Sequence, residues 1–216
     1  MKNIINLLKT VSEKISYWGF KNILKFIYFE FIYYFKFNSK TLFGIKNEEL
    51  DYHLKKGENF IEYIPTPYFF LDKSLKKINL DISKTYFVDF GSGAGRVVEY
   101  YIGMDVKFAT GIEISKKLSD IASSNLSNYS NVELLNIDAL DYQITSQDNL
   151  FFFYDPFGFE TISKILFKIK KSLKENPREI NLIYVSPRYR QSFDEHFISI
   201  YENINKHNLG MIIYSN

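Results

Sequence analysis

Apolar residues recur along the chain with two different periods, which alternate from residue 85 onward. Short β-branched and aromatic runs predict strands at 85–90, 107–114, 132–136, 149–154 and 179–186. Helix-compatible stretches are predicted between them near 96–102, 117–126 and 162–173. Two last runs, 197–202 and 209–214, flank a polar turn, so we expect them to pair antiparallel. Strands that alternate with helices predict an α/β domain with a mostly parallel sheet.

The N-terminal part contains an aromatic helix. Of the 21 positions in 17–37, 11 are aromatic, but Lys21, Lys25, Glu30 and Lys36 interrupt the run, which excludes a simple membrane span. At 100° per residue the three lysines share one stripe and Glu30 lies opposite. Such a helix can pack its aromatic side on the domain or lie on an anionic membrane surface. We favour packing, because helices that pack are much commoner.

Glu30 has two interpretations. A carboxylate on an apolar face is costly to bury without a partner, which favours an ion pair or a partly wet edge. The alternative is a carboxylate that points into a substrate pocket. We therefore keep Glu30 as a candidate catalytic residue, although the ion pair is the favoured interpretation.

Composition and charge exclude several classes of site. The 216 residues fit one domain, and 18% of them are aromatic. Because cysteine is absent, disulfides, thiolate metal sites and cysteine nucleophiles are excluded, and three scattered histidines predict no metal site. Residues 1–60 carry ten lysines against six acidic residues, whereas 61–216 carry 17 basic residues against 19 acidic ones. This distribution of charge disfavours nucleic acid as a partner. The absence of cysteine fits a reducing compartment, so a cytoplasmic location is expected.

A glycine-rich loop, 91–95, follows the strand predicted at 85–90. It lacks the Gly-Lys-Ser/Thr ending of a phosphate-binding P-loop, and Arg96 stands where a dinucleotide fingerprint has its third glycine. Asp89, just before the loop, would repel a pyrophosphate. It suits instead a ligand that carries an ammonium group.

Acidic residues end the next two strands at similar intervals. Glu113 lies 24 residues after Asp89, about the distance at which such folds present an acid to ribose hydroxyls. Asp138, followed by Ala139, lies 25 residues after Glu113 and could accept a hydrogen bond from an adenine amine. We therefore predict a nucleoside site across these strand ends.

The fourth strand ends in Tyr154-Asp155-Pro156-Phe157. Asp155 can accept a proton or hold an N–H or O–H group of an acceptor, and Phe157 offers an aromatic face to a cation. The alternative is a hydrophobic strand followed by an ordinary Asp-Pro turn.

These motifs together resemble those of class I S-adenosylmethionine-dependent methyltransferases. Residues 88–96 resemble the first motif, 111–115 the ribose motif, 138–139 the adenine motif and 154–157 the catalytic-loop motif. The run Tyr63-Ile64-Pro65-Thr66 resembles a Tyr-x-Pro-Thr loop in a bacterial group of these enzymes, and is also similar to non-SET lysine methyltransferases. That group usually has Asn where this chain has Asp155 and Ser186, so its choice of acceptor does not transfer.

The resemblance implies a doubly wound, Rossmann-like, mostly parallel seven-stranded sheet with an antiparallel last strand. It implies a methyltransferase domain at 61–216, preceded by a helical segment, 1–60, that covers the site. The cofactor implied is S-adenosylmethionine, and no metal is expected. The cofactor-binding residues implied are Tyr63, Thr66, Asp89, Gly91, Ser92, Gly93, Gly95, Arg96, Glu113, Ile114, Asp138, Ala139 and Asp155. The candidate catalytic residues are Asp155, Tyr154, Phe157 and Glu30.

The methyl acceptor is the open question at this point. The favoured prediction is an oxygen or nitrogen nucleophile of a small molecule or sugar, and the alternative is a protein lysine. A non-catalytic nucleoside-binding module is a second alternative. Contact of residues 17–37 with the inner face of a membrane is an alternative location for the cytoplasmic chain.

Overall fold

The computed structural model describes residues 20–37, 63–205 and 209–216. The predicted helical segment 1–60 therefore lies outside the described residues except at 20–37. The same holds for part of the polar turn predicted before the last strand.

The described chain contains seven strands and six α-helices. The helices are α1 (Phe20–Lys36), α2 (Tyr68–Leu75), α3 (Arg96–Ile102), α4 (Lys116–Asn125), α5 (Phe159–Glu175) and α6 (Arg190–Asp194), and a 3₁₀ turn spans Ile82–Lys84. The strands are β1 (Tyr86–Phe90), β2 (Phe108–Ile112), β3 (Val132–Leu135), β4 (Asp148–Tyr154), β5 (Asn181–Val185), β6 (Ile198–Ile204) and β7 (Gly210–Ser215).

The strands form one seven-stranded sheet in the order β3-β2-β1-β4-β5-β7-β6. The first five strands in this order, from β3 to β5, are parallel to one another. Strand β7 runs antiparallel to both β5 and β6. The predicted fold class, a mostly parallel seven-stranded sheet with an antiparallel last strand, is confirmed. Pattern alone did not predict that β7 is inserted between β5 and β6.

The central strands are buried on both faces, which explains their continuous apolar sequences. Phe87 and Phe152 point to the face covered by α1, α2 and α3. Val88, Phe151 and Phe153 point to the opposite face, where α5 packs. The alternation of side chains along a strand therefore divides these aromatic runs between two cores.

The register of the sheet aligns the carboxyl ends of three strands. Asp89 of β1 lies opposite Gly111 of β2, and Phe90 lies opposite both Ile112 and Phe153. Because β1 connects to β2 on one side and β4 lies on its other side, this edge is the point where the strand order reverses. Ligands bind at such switch points in open α/β sheets.

Helix α1 packs on the domain with one face only. Tyr33 and Phe37 are buried, and the Tyr33 ring lies 4.9 Å from that of Tyr68 and 5.3 Å from that of Tyr100. The structure thus shows the predicted packing of this helix on the domain for the side that carries Tyr33 and Phe37. The other side exposes several large apolar residues: Leu24, Ile27, Tyr28, Phe31, Tyr34 and Phe35.

Two helices, α2 and α6, were not predicted from the sequence. They have eight and five residues, too few for a helical period to be recognised. Helix α2 also has no side-chain cap at its first residue, because Pro67 occupies the N-cap position.

The core beneath α5 makes a first prediction. Ile165 is 1% exposed, so Ile165→Ala should lower the free energy of unfolding by about 2–5 kcal/mol, as expected for a buried aliphatic truncation. Urea denaturation measures this change. The matched control is Phe167→Ala on the same helix, since Phe167 is 68% exposed and its loss should change stability by less than about 0.5 kcal/mol. Equal effects of the two variants would contradict the assigned face of α5.

Candidate active site

A cavity of about 380 Å³ opens at the carboxyl ends of β1, β2 and β4. This volume lies in the range of small-molecule sites. The cavity wall includes most of the residues predicted from the sequence: Tyr63, Thr66, Asp89, Gly91, Ser92, Arg96, Glu113, Ile114, Asp138, Ala139, Tyr154, Asp155 and Phe157. Three predicted residues, Gly93, Gly95 and Glu30, do not belong to this wall.

The glycine loop owes its shape to positive backbone φ angles. Gly91 has φ +82° and Gly93 has φ +53°, a region in which a side chain is strained. A Cβ on Gly91 would approach Pro156 to 2.9 Å, and a Cβ on Gly93 would overlap the Tyr63 ring. The loop is joined to β2 by the amides of Gly91 and Ser92, which both donate to the Ile112 carbonyl at 2.9 Å.

Glu113 is buried and holds the glycine loop in place. Its Oε2 accepts from the Gly93 amide at 2.9 Å, and its Oε1 accepts from the Ser115 amide at 2.8 Å. Glu113 therefore has a loop-fixing role that spacing did not predict, and its ribose contact stays a prediction.

Asp89 is the residue that most favours a cationic ligand. It is 2% exposed, and its Oδ2 has no hydrogen-bond partner among the described residues. Burial, and then the neighbouring charge of Glu113, raise the pKa of the Asp89 carboxyl well above its usual range. A buried carboxylate without a partner is costly, and a ligand with an ammonium group would relieve that cost. This buried acceptor therefore fits the ammonium group at the aminoacyl end of S-adenosylmethionine.

The far end of the cavity combines an acid with apolar walls. Asp138 Oδ1 accepts from the Leu140 amide at 2.9 Å, and Ala139 beside it is buried. Ile114 and Ile137 complete this part of the wall. Apolar side chains together with one carboxylate acceptor are a lining that fits an adenine ring.

Asp155 is held by an arginine that sequence reasoning missed. Its backbone has φ +40°, and its Oδ2 lies 2.7 Å from a guanidinium nitrogen of Arg188. Burial raises the pKa of the Asp155 carboxyl to about 6, although the charge of Arg188 and a hydrogen bond from Tyr184 act to lower it. The Asp155 Oδ1 is buried and has no hydrogen-bond partner within the described segments.

The position of Arg188 follows from the sheet. Tyr154, the last residue of β4, lies opposite Val185, the last residue of β5. Residues that follow β5 therefore reach the same edge of the cavity as Asp155. The sequence does show a polar segment that contains Arg188 after the strand predicted at 179–186. It does not show that this strand pairs with β4, and that pairing is what brings Arg188 to Asp155.

Tyr154 and Phe157 flank Asp155 in the cavity wall. Burial, and next the charge of Asp155, raise the pKa of the Tyr154 phenol to about 12, so the phenol stays protonated near neutral pH. The two rings contribute aromatic surface to the same cavity wall as the carboxylate.

Glu30 forms an ion pair instead of entering the cavity. Its Oε2 lies 2.8 Å from one guanidinium nitrogen of Arg96, and its Oε1 accepts from the other at 3.1 Å. Arg96 is 3% exposed, and its guanidinium lies 4.2 Å from the centre of the Tyr68 ring. Of the two interpretations of Glu30, the structure shows the ion pair, because the favourable partner for a partly buried carboxylate is within reach.

The sequence of residues 45–152 matches the family described as histone methylation protein DOT1, and the match spans half of the chain. The chain belongs to the DOT1 family. The DOT1 match includes Asp89, the glycine loop and Glu113, but it ends within β4, before Asp155. Family membership confirms the predicted class, an S-adenosylmethionine-dependent methyltransferase, and with it the predicted cofactor.

The chain is also similar to individual proteins, in sequence and in fold. An rRNA adenine N-6-methyltransferase from Lysinibacillus sphaericus is 29% identical over 119 residues, which are 54% of this DOT1-family chain and 46% of that relative. The chain therefore spans less than half the length of this relative. Escherichia coli yhhF has a TM-score of 0.55 at 16% identity, over 67% of this chain and 82% of its own. The N-methyltransferase NodS from Bradyrhizobium japonicum, solved with S-adenosyl-L-homocysteine, has 0.51 at 11% identity, over 68% and 86%. These two structures show a shared fold.

One prediction about partners is wrong. Nucleic acid was disfavoured because the acidic residues of 61–216 outnumber the basic ones. The relative from Lysinibacillus sphaericus is named for a reaction on rRNA, which overturns that exclusion. Net charge over a whole domain averages out local surfaces, and it is therefore a poor criterion for excluding a nucleic-acid partner.

Across the part of this DOT1-family chain that the structure describes, none of the helices combines the length and apolar character needed to cross a bilayer. The cytoplasmic location stays a prediction.

The environment of Asp89 makes a second prediction, in which stability and cofactor binding change in opposite directions. Because the native pKa of Asp89 is raised, the native state binds more protons than the unfolded state, so this group lowers stability as the pH rises above about 4. Asp89→Asn should therefore be more stable than the wild type at pH 8, by a margin that shrinks toward pH 5. The same change should weaken S-adenosylmethionine binding by about 1.5–3 kcal/mol, the range for a bond to a charged group.

Thermal unfolding at the two pH values and calorimetric titration measure these effects. Asp138→Asn, at the other end of the cavity, is the control for stability. Normal cofactor affinity in Asp89→Asn would show that the ammonium assignment is wrong.

Proposed function

We propose that this chain transfers the methyl group of S-adenosylmethionine to a neutral nitrogen, the exocyclic amine of adenine in RNA. The observation that carries the proposal is the pair of Asp155 and Arg188 at the cavity wall. One carboxylate oxygen is fixed by the arginine, and the other is buried without a partner among the described residues. Such an oxygen is suited to accept an N–H of the acceptor.

The cofactor half of the site has a clear division of roles. S-adenosylmethionine supplies a methyl group already activated on a sulfonium. In our proposal, Asp89 holds its ammonium group and Glu113 its ribose hydroxyls. Asp138 accepts from the adenine amine, and Ile114 and Ala139 enclose the ring.

The acceptor half of the site is built around Asp155. With a pKa of about 6, its carboxylate is mostly ionised above neutral pH. It can then accept one N–H of the attacking amine, which orients the nitrogen lone pair, and take the proton that this nitrogen loses after transfer. Positioning of the nitrogen accounts for most of the expected catalysis, since the methyl group needs little further activation.

The charge of Arg188 favours a neutral amine over a lysine ammonium. The guanidinium lies 2.7 Å from the Asp155 carboxylate and compensates its charge, so the pair attracts a cation weakly. A lysine, with an ordinary pKa near 10.4, would also have to lose a proton before attack. The amine of adenine carries no charge at neutral pH.

The surroundings of Asp155 suit a base drawn out of a strand. Phe157 in the cavity wall offers an aromatic ring for stacking, the usual way in which proteins hold an unstacked RNA base. The Arg188 side chain is 51% exposed and can also donate to a phosphate beside the base. The name of the Lysinibacillus sphaericus relative supports the same acceptor.

A second candidate acceptor is an amine on a protein, favoured by the description of the DOT1 family. The small-molecule or sugar acceptor stays a prediction that the assay below also tests, whereas membership of a methyltransferase family speaks against the non-catalytic module. We further propose that the methyltransferase domain spans 61–216 and that 1–60 contributes to covering the site. A separate proposal is that the chain belongs to the bacterial group with the Tyr-x-Pro-Thr loop, because it has Tyr63 and Thr66 at the matching positions.

A methyl-transfer assay with labelled cofactor tests the acceptor. RNA oligonucleotides that contain adenine should be labelled, and matched oligonucleotides with purine in place of adenine, which lack the amine, should not. Asp155→Ala should lower turnover about 10²-fold or more with unchanged affinity for S-adenosylhomocysteine, because it removes a positioned acid–base group. Asp155→Asn separates the roles: it keeps an acceptor oxygen but cannot take the proton. Label found in protein or in small molecules, with none in RNA, would contradict the proposal.

The Asp155–Arg188 pair also predicts a pH dependence. The groups that face Asp155 are Arg188, Tyr184 and Tyr154, of which Arg188 and then Tyr184 lower its pKa. Activity requires the carboxylate, so kcat/KM should fall as the pH drops through about 6. In Arg188→Ala the pKa of Asp155 rises, and the acid limb of the profile should move to higher pH. The control is Arg190→Ala, since Arg190 pairs with Asp194 and Glu202 instead. An unmoved acid limb in Arg188→Ala would exclude Asp155 as the titrating group.

A further inference from the structure

Helix α1 contacts the cofactor cavity through the Glu30–Arg96 ion pair. Glu30 lies on α1, and Arg96 is the first residue of α3, directly after the glycine loop. Arg96 also lines the cavity, where it is 3% exposed. A charge on a helix of the N-terminal segment is thereby paired with a residue of the cavity wall.

The same two residues hold the segment 63–68 in place. Arg96 donates to the Thr66 carbonyl at 2.9 Å, and Glu30 accepts from the Tyr68 amide at 3.1 Å. The Tyr68 ring lies under the Arg96 guanidinium at 4.2 Å. The segment is thus hydrogen-bonded at two nearby points, to Arg96 through the Thr66 carbonyl and to Glu30 through the Tyr68 amide.

The segment 63–68 covers the glycine loop. The Tyr63 ring packs so closely on Gly93 that no Cβ could be added there. Tyr63 and Thr66 both belong to the cavity wall. A displacement of this segment would therefore change the cofactor side of the cavity directly.

Removing Glu30 alone would leave the Arg96 guanidinium buried with less compensation. A buried charge that loses its ionic partner is strongly unfavourable and moves toward solvent when it can. Because Arg96 is bonded to Thr66, such movement would carry the segment 63–68 with it.

We propose that Glu30 is a positioning residue for the cofactor: its ion pair with Arg96 fixes Tyr63 and Thr66 against the glycine loop, so that docking of α1 is coupled to binding of S-adenosylmethionine. The inference concerns the cofactor half of the site and does not depend on the acceptor proposed above. Coupling of this kind is reciprocal, so cofactor binding must also favour the docked position of α1.

Calorimetric titration of the full chain with S-adenosylhomocysteine tests the coupling without any acceptor. Glu30→Gln keeps the size of the side chain and removes its charge, and should weaken binding about 5-fold or more, the lower end of typical coupling between sites. The matched control is Tyr33→Phe, which removes the 3.3 Å hydrogen bond from α1 to Asp72, a residue outside the cavity wall. This control should leave the dissociation constant unchanged even where it lowers the thermal midpoint.

Hydrogen exchange provides a readout that a purely structural role would not move. In the wild type, S-adenosylhomocysteine should slow exchange in peptides from 24–36 as well as from 63–68. In Glu30→Gln at saturating ligand, the slowing at 24–36 should be lost while that at the glycine loop remains. Should Glu30→Gln fold poorly, Glu30→Asp, which keeps the charge on a shorter side chain, should show the same loss to a smaller extent.

Three results would overturn the inference. The first is a lowered thermal midpoint in Glu30→Gln with unchanged affinity. The second is equal weakening in Glu30→Gln and Tyr33→Phe. The third is exchange at 24–36 that does not respond to the ligand in the wild type. Each result can be obtained whether or not RNA is the acceptor, so failure here is distinct from failure of the proposed acceptor.

Discussion

The alignment of three parallel strand ends is the constraint on which this site depends. Asp89 is the penultimate residue of β1, Glu113 and Asp155 directly follow β2 and β4, and hydrogen bonding in the sheet sets the register of these three strands. Because both faces of the central strands are covered by helices, a one-residue change of register would move Phe87 and Phe153 into the opposite cores and disrupt the packing of both. The two cores therefore hold the acidic residues at one edge, far more rigidly than loops alone could.

This alignment concentrates negative charge in a partly closed space. Asp89 and Glu113 are both buried, and burial, followed by the charge of Glu113, raises the pKa of the Asp89 carboxyl. Glu113 is offset by two loop amides, whereas Asp89 retains an oxygen without a partner within the described chain. Such an arrangement costs stability in the free protein, and a cationic ligand can recover that cost.

Two arginines offset the charge of carboxylates at opposite sides of the cavity. Arg188, after β5, pairs with Asp155 on the side assigned to the acceptor, and Arg96, after the glycine loop, pairs with Glu30 on the side assigned to the cofactor. Asp155 and Arg188 both lie in the cavity wall, whereas of the other pair only Arg96 lies there. The two pairs connect the cavity to the β5 loop and to α1, which are separate parts of the chain.

The order of strands and helices, the antiparallel last strand and most of the cavity wall could be predicted from the sequence. Apolar periods and the glycine run are local properties, and acidic residues at regular intervals report where successive strands end. The bounds of α3 were predicted as observed, because a glycine loop precedes it and Gly103 follows.

The partners of the charged side chains could not be predicted in this way. Glu30 and Arg96 are 66 positions apart, and Arg188 lies 33 residues beyond Asp155, so only packing of α1 and the β4–β5 pairing bring these charges together. Periodicity determines which face a residue occupies; tertiary structure decides which charge it meets there, because a buried ion pair depends on the distance between two atoms and not on their separation along the chain.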